Sequence, residues 1–285
     1  MNESKMIKCL WFFLFVTIIA QIIVCFMMIF EAHADTGLDF SNDVLYSGHH
    51  DRWYSNGVRI FHGPYAIGAE MYTPRDKRNP GIPVDDRPWD GYLYGEYTLQ
   101  FEDERTVALR AGALGAASYQ KELQKFVHND LGLGIDPKGW DTQNASELAL
   151  EVLYEHRFTH LFDSYLGWVR AETTYGARLG NVVDAIFLEN DIRKGWFDEE
   201  KQFYLLAGIR GDLKAFDTHL QGRMFHDNTY TVDMIPFVAS TWVGVGVEFH
   251  KWNIEIRYTY QTDETELQNY ERHIFGTVTI KRIWN

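Results

Sequence analysis

Five polar residues stand where they could do chemistry. Asn42 and Asp43 close one alternating segment, Ser55 opens the next, Lys77 follows in a loop, and His128 ends a Gln-rich stretch. A neutral imidazole can take a proton from water at environmental pH. Ser55 as a nucleophile would need an adjacent base; no motif supplies one, so it reads as a residue lining a site. Each candidate also has a plainer reading. His128 could be a solvated loop histidine, Asn42-Asp43 a strand-end turn, and Lys77-Arg78 a solvated pair of loop cations. No G-x-S-x-G, H-E-x-x-H or Walker pattern occurs anywhere in the chain.

The elements that must position them read as an exported membrane barrel. Lys5 and Lys8 precede an apolar run from Leu10 to Phe30, and Ala32-His33-Ala34 follows, the layout of a cleaved export signal. The organisation is therefore a signal peptide over 1–34 and one barrel domain over 35–285, with an uncleaved membrane anchor as the plainer alternative. Cys9 and Cys25 both fall in the leading segment, so residues 35–285 must rely on a core or a closed sheet rather than on disulfides. A net charge of −13 speaks against nucleic acid as a partner. An aromatic share of 15%, with 23 glycines and 7 prolines, suits a barrel with aromatic girdles.

Periodicity carries that reading further. Thr241, Val243, Val245, Val247 and Phe249 alternate with Trp242, Gly244, Gly246 and Glu248. After a turn at His250-Lys251, Trp252, Ile254, Ile256, Tyr258 and Tyr260 alternate with Asn253, Glu255, Arg257, Thr259 and Gln261. Strands of about ten residues with one apolar and one charged face suit a bilayer outside and a polar lumen inside. The expected strands are 37–44, 55–62, 66–72, 90–101, 105–113, 146–158, 164–177, 202–211, 215–224, 239–249, 252–261 and 272–284. The fold class is thus an all-β, antiparallel transmembrane barrel of twelve strands. Short turns are placed in the periplasm and six long loops, including 178–201, outside. All five polar candidates then lie at the outer end.

One external loop carries a helix. Residues 116–130 lack Gly and Pro, with Tyr119, Leu123, Phe126 and Val127 on one face and Gln120, Gln124 and His128 on a second, water-facing stripe. Trp89, Trp140 and Trp196 read as membrane-interface aromatics.

These residues bring out a resemblance. FSND at 40–43, DRWYSNG at 51–57, MYTP at 71–74, DRPWDGYLYG at 86–95, GWDTQ at 139–143, ELALEVLYEHR at 147–157, GN at 180–181 and the later LQGRMF occur in order over the whole exported chain. The chain resembles the lipid A 3′-O-deacylases of Gram-negative outer membranes. That resemblance implies a calcium-dependent hydrolase whose site lies between the barrel wall and the external helix. It implies His128 as general base, Asp43 with Asn42 at the calcium and oxyanion position, Ser55 lining the site, and Lys77 meeting a lipid phosphate. It implies lipid A or lipopolysaccharide as substrate, a 3′-acyloxyacyl ester as the bond cut, outer-membrane lipid as surroundings, and a monomer. The family's acidic residue beyond the histidine has no match at its spacing, which leaves Asp130 or Asp136 to orient His128. The rival readings are an outer-membrane phospholipase and a non-catalytic pore or structural barrel. A pore conducts ions; an enzyme with a plugged lumen releases fatty acid instead.

Overall fold

The computed structural model describes residues 34–45, 53–132, 135–164, 167–197, 201–227, 230–268 and 273–284. The segment expected to be the export signal lies, apart from Ala34, outside the described residues. Twelve antiparallel strands form one closed barrel: β1 (Thr36–Asn42), β2 (Trp53–His62), β3 (Tyr65–Thr73), β4 (Asp90–Gln100), β5 (Arg105–Leu114) and β6 (Glu147–Ser164), then β7 (Gly167–Gly180), β8 (Val183–Phe197), β9 (Lys201–Asp217), β10 (Phe237–Phe249), β11 (Trp252–Gln261) and β12 (His273–Arg282). Each strand pairs with the next, and β12 returns to β1 with Thr36 opposite Arg282. Closure leaves no edge, so every ladder group is satisfied without water, as a bilayer demands.

Alternation decides what faces lipid. Val243 and Val245 of β10 and Ile256, Tyr258 and Tyr260 of β11 are exposed on the outer face. The inner face is charged and paired. Arg110 bonds Glu96 at 2.7 Å and Glu151 at 3.4 Å, Arg178 bonds Glu151 at 2.7 Å, and Arg59 bonds Glu96 at 2.6 Å. These ion pairs cross the lumen at mid-height. Towards the periplasmic turns the interior widens into a polar cavity of about 1030 Å³, lined by Asp39, Arg59, Glu96, Glu155 and Arg257 among others.

Twelve strands match the expected number, but one is gained and two are merged. Residues 183–197, expected within a long outer loop, form β8, and the expected strands 202–211 and 215–224 are one strand, β9, which runs through the expected turn at 212–214 and ends at Asp217. The outer connection between β7 and β8 is only Asn181-Val182, so the expected alternation of long and short connections breaks there. The apolar period of β8 is blurred on both faces. Its exposed row, Ile186, Leu188 and Ile192, is interrupted by Asn190, whose side-chain oxygen accepts from Thr173 Oγ1 at 2.8 Å. Its inner row includes the buried Ala185 and Phe187. The tight connection is held by Asn181, which accepts from Leu150 N–H at 2.8 Å and donates to Glu147 at 2.7 Å. Beyond β9, Asp217 accepts from His219 N–H at 3.0 Å and starts a single helical turn, α2 (Thr218–Gln221), instead of more strand.

A buried polar cluster closes the outer end. Asp90 pairs with Arg223 and accepts from His219 Nδ1 at 2.8 Å, and all three are buried. Removing one member of a buried charged set costs about 3–5 kcal/mol. Asp90→Ala should therefore lower the temperature at which the folded barrel unfolds in a gel heat-shift series, whereas a shift no larger than for an exposed-loop substitution would contradict this role.

Around that cluster, Lys214 bonds Glu264 at 2.8 Å and Asp217 at 2.9 Å, and Arg87 bonds Glu264 at 3.2 Å. Burial would raise the Glu264 carboxyl, but Lys214 and Arg87 outweigh it and hold it well below the usual range. A carboxyl lowered on folding stabilises the fold above its unfolded value and loses that effect as pH falls towards the folded one. Protease protection of the loop carrying Glu264 should be full above about pH 4.3 and decline below it. Glu264→Gln should flatten that dependence; an equally steep decline in the variant would assign it to another group.

Candidate active site on the outer wall

The site is built on the outward face, where polar residues are out of place. In β1, β2 and β3 the rows Leu38, Ile60, Ile67 and Phe40, Val58, Ala69 are paired across the strands and face lipid. One step higher the same row reads Asn42, Asn56, Met71 and Gly91. Two asparagines side by side thus replace apolar residues at the outer end of the lipid-facing wall. The Asn56 side-chain oxygen is buried and has no hydrogen-bond donor among the described residues. Asp43, beginning a single turn over Asp43–Leu45, is 1% exposed directly beyond Asn42.

Ser55 is added to this row by a bulge. The β2–β3 register shifts between Tyr54 and Asn56, which leaves Ser55 as the extra residue. Its Oγ lies 2.5 Å from Thr73 Oγ1 and 3.4 Å from Lys77 Nζ. Lys77 was placed in a loop by sequence, but its side chain is buried and directed at Ser55 rather than at solvent. The bulge sits beside Trp53, which takes a positive φ of 67° and donates from Nε1 to Asp86 at 3.0 Å. Asp86 also accepts from Arg75 N–H at 2.6 Å, which ties the loop holding Lys77 to the wall.

The remaining candidate arrives on the loop between β5 and β6. Helix α1 (Gln120–Lys125) continues into a wider turn over Phe126–Asp130, where Leu131 N–H donates to the Phe126 carbonyl five residues back. Such widened turns recur at functional sites. The helix lies against the outside of the barrel: a Cβ on Gly91 would come within 2.7 Å of Gln120 Cβ, so only glycine allows the approach. The expected orientation of the helix is reversed. Gln120 and Gln124 form the buried face, and Tyr119, Leu123 and Phe126 are exposed. The reason is the wall beneath. Gln124 accepts from Trp140 Nε1 at 2.6 Å, and Trp140 packs with Trp89 and Met71. Trp89 and Trp140 are accordingly fully buried and are not interface aromatics; the Trp196 side chain lies outside the described residues.

His128 sits in the widened turn. Its Nδ1 lies 2.6 Å from the Ile135 carbonyl, which can only accept, so Nδ1 is the donor of that bond and in the neutral ring the lone pair is on Nε2. The orienting group found at Nδ1 is thus a backbone carbonyl, where sequence pointed to Asp130 or Asp136. Asp136 instead accepts from Asn129 Nδ2 at 2.8 Å and closes the same loop. Three residues beyond Ile135, Lys138 N–H donates to the Lys77 carbonyl at 2.9 Å. Three residues span at most about 10 Å, so the chain orienting His128 is fastened to the loop carrying Lys77. Asn42, Asp43, Ser55 and Lys77 are gathered on one stretch of wall, and His128 is held in a loop fastened to the one that carries Lys77.

The oxygens on this stretch of wall are of the kind a hard cation takes. Oxygen ligands are present: the Asp43 carboxylate, the Asn56 and Asn42 amides and the Ser55 hydroxyl, with the Asn56 oxygen buried and free of a donor. No group of three or more His, Cys, Asp or Glu gathers among the described residues. A calcium ion therefore fits only as one held by a single carboxylate, neutral oxygens and water. Asn56 and Thr73 fall within the DRWYSNG and MYTP motifs, but the sequence assigned neither a role. A polar residue in an otherwise apolar outward row signals Asn56, whereas the contact of Thr73 with Ser55 depends on the bulge.

A closed twelve-strand barrel with a charged, paired lumen and an apolar outer face defines an outer-membrane barrel protein. The chain belongs to the outer membrane protein LpxR family, whose sequence profile matches residues 63–284. That span contains Lys77 and His128 and begins after Asn42, Asp43 and Ser55. Among solved structures, LpxR from Salmonella typhimurium superposes with a TM-score of 0.73 at 16% identity, covering 87% of this chain and 99% of that one. At that identity the likeness establishes the fold. The KdgM porin reaches a TM-score of only 0.36 at 7% identity over 88% of this chain and 99% of its own. The Bordetella autotransporter BrkA β domain reaches 0.40 at 12% identity, over 88% and 98%. No curated protein sequence matches.

Proposed function

We propose that this protein is a lipid A deacylase, a carboxylic ester hydrolase that removes a 3′-acyloxyacyl chain at its outer wall. The observation that carries this reading is the row of polar groups at Asn42 and Asn56 on a lipid-facing surface, with His128 in a loop fastened to the one that carries Lys77. A soluble substrate needs no such placement. An ester near the membrane interface can reach it from the side.

The chemistry follows from the groups present. His128 Nε2 takes a proton from water, and the hydroxide adds to the ester carbonyl. The Asn42 amide donates to the oxygen that becomes negative. When the intermediate collapses, the sugar oxygen leaves and takes the proton back from His128, so one water is consumed and a free acid and an alcohol are formed. A calcium ion held by Asp43 would add Lewis-acid polarisation of the carbonyl. Ser55 lines the site and spaces Lys77, whose buried ammonium suits a phosphate of the substrate. The protein acts as a monomer in this reading.

The purified barrel in vesicles tests the reading. Lipopolysaccharide should yield free acyl chains, and phosphatidylethanolamine none. Release from phosphatidylethanolamine alone would make it a phospholipase. Ion conductance in planar bilayers without any release would make it a pore.

A further inference from the structure

We infer that helix α1 is an in-plane membrane helix, with outer-leaflet acyl chains covering Tyr119, Leu123 and Phe126 and head groups meeting Lys121 and Lys125. The first observation is the reversed face. Tyr119 is 67% exposed, Phe126 43% and Leu123 39%, while Gln120 and Gln124 are buried. In water the cheaper arrangement buries the apolar residues, so this face is solvated by something other than water.

The second observation is what the helix rests on. Met71 and Gly91, directly beneath it, belong to the outward row that continues down β3 through Ala69, Ile67 and Tyr65. Tyr65 and Tyr97, both exposed with ring centroids 5.3 Å apart, stand at the periplasmic end of that row as a girdle would. From Tyr65 to Met71 is about 20 Å along a strand, and less in height because barrel strands tilt. The apolar band of an outer-membrane barrel is about 25 Å tall. The helix therefore leans on wall that still lies within the band, and its exposed side continues the lipid-facing surface already described.

The third observation is the arrangement around the helix axis. At 3.6 residues per turn, Leu123 and Phe126 fall about 110° to one side of the buried Gln stripe, and Lys121 and Lys125 about 100° to the other; Tyr119 precedes the helix in a left-handed conformation and is exposed there on its own account. With the helix axis in the membrane plane, as the inference requires, these two flanks would point in opposite directions along the membrane normal. An apolar flank opposed to a basic flank is the pattern of a helix lying at a lipid interface. Lys121 keeps its charge near the surface by bonding Asp141 at 2.5 Å.

The test uses single thiols. With Cys9→Ser and Cys25→Ser in the background, Leu123→Cys, Phe126→Cys, Lys125→Cys and the lipid-facing control Ile67→Cys are each labelled with a polarity-sensitive fluorophore. The proteins are placed in phosphatidylethanolamine and phosphatidylglycerol vesicles whose acyl chains are brominated. Emission at Leu123 and Phe126 should be blue-shifted and quenched by the brominated chains within about twofold of Ile67, while Lys125 is quenched by aqueous iodide. Iodide quenching at Leu123 and Phe126 equal to that at Lys125 would overturn the inference and leave the face in water. Protection from both quenchers with disulfide cross-linking between Leu123→Cys copies would overturn it in favour of a second copy of the chain.

Discussion

Replacing His128 by Asn should leave a correctly inserted barrel that no longer releases acyl chains. A positioned general base typically contributes about a hundred- to ten-thousand-fold in rate, a loss that an end-point assay reads without ambiguity. The fold should not notice. His128 lies outside the barrel, on a turn that adds no bond to the strand ladders. The side chain fixes its own orientation by donating from Nδ1 to the Ile135 carbonyl, and the Asn amide can donate in the same direction. What the variant lacks is a second nitrogen able to take a proton. Heat-shift behaviour identical to the parent, with turnover down by at least a hundredfold, is the expected pair of results. Near-parental turnover would remove the histidine from the chemistry and make Ser55 the first residue to test.

Asp43→Ala should be nearly as damaging for a different reason. In the proposed site Asp43 would supply the single carboxylate of a donor set otherwise made of amide and hydroxyl oxygens. Hard cations bind weakly to neutral oxygens alone, so the variant should stay inactive however much calcium is added. The parent should lose activity in excess chelator and regain it with calcium, but not with zinc, which prefers nitrogen and sulfur ligands. The heat-shift of the variant should persist, because Asp43 follows β1 rather than belonging to its ladder. Activity retained in excess chelator would take the metal out of the account and leave the oxyanion to the Asn42 amide.

The barrel was legible because a lipid-facing strand must alternate, and β10 and β11 alternate almost without exception. Legibility failed at β8, where Asn190 faces outward and is satisfied by Thr173 on the neighbouring strand. Only pairing across strands reveals that bond, and no single-strand pattern contains it. The candidate residues were found from types and order, and Asn42, Asp43, Ser55 and Lys77 do share one stretch of wall. Their depth was not legible. Lys77 is buried because a bulge turns Ser55 towards it, and a bulge is one extra residue that the sequence does not announce. The helix reads as amphipathic in either environment, and its stripes alone do not say which of them meets the protein. Gly91 and Trp140, remote in sequence, decide that. The Asp90, His219 and Arg223 cluster was hidden for the same reason: Asp90 begins β4, while His219 and Arg223 lie in the connection after β9, and only the closed barrel brings the two together.

The central claim is that this barrel cuts an acyl ester of lipid A, and the most direct measurement is the mass of lipid A from a host without other deacylases that expresses the chain. The account predicts a species lighter by one acyloxyacyl unit, absent when the host carries His128→Asn at equal outer-membrane abundance. Lipid A of unchanged mass, recovered alongside abundant, heat-shifting parent barrel and again after extraction with added calcium, would contradict it.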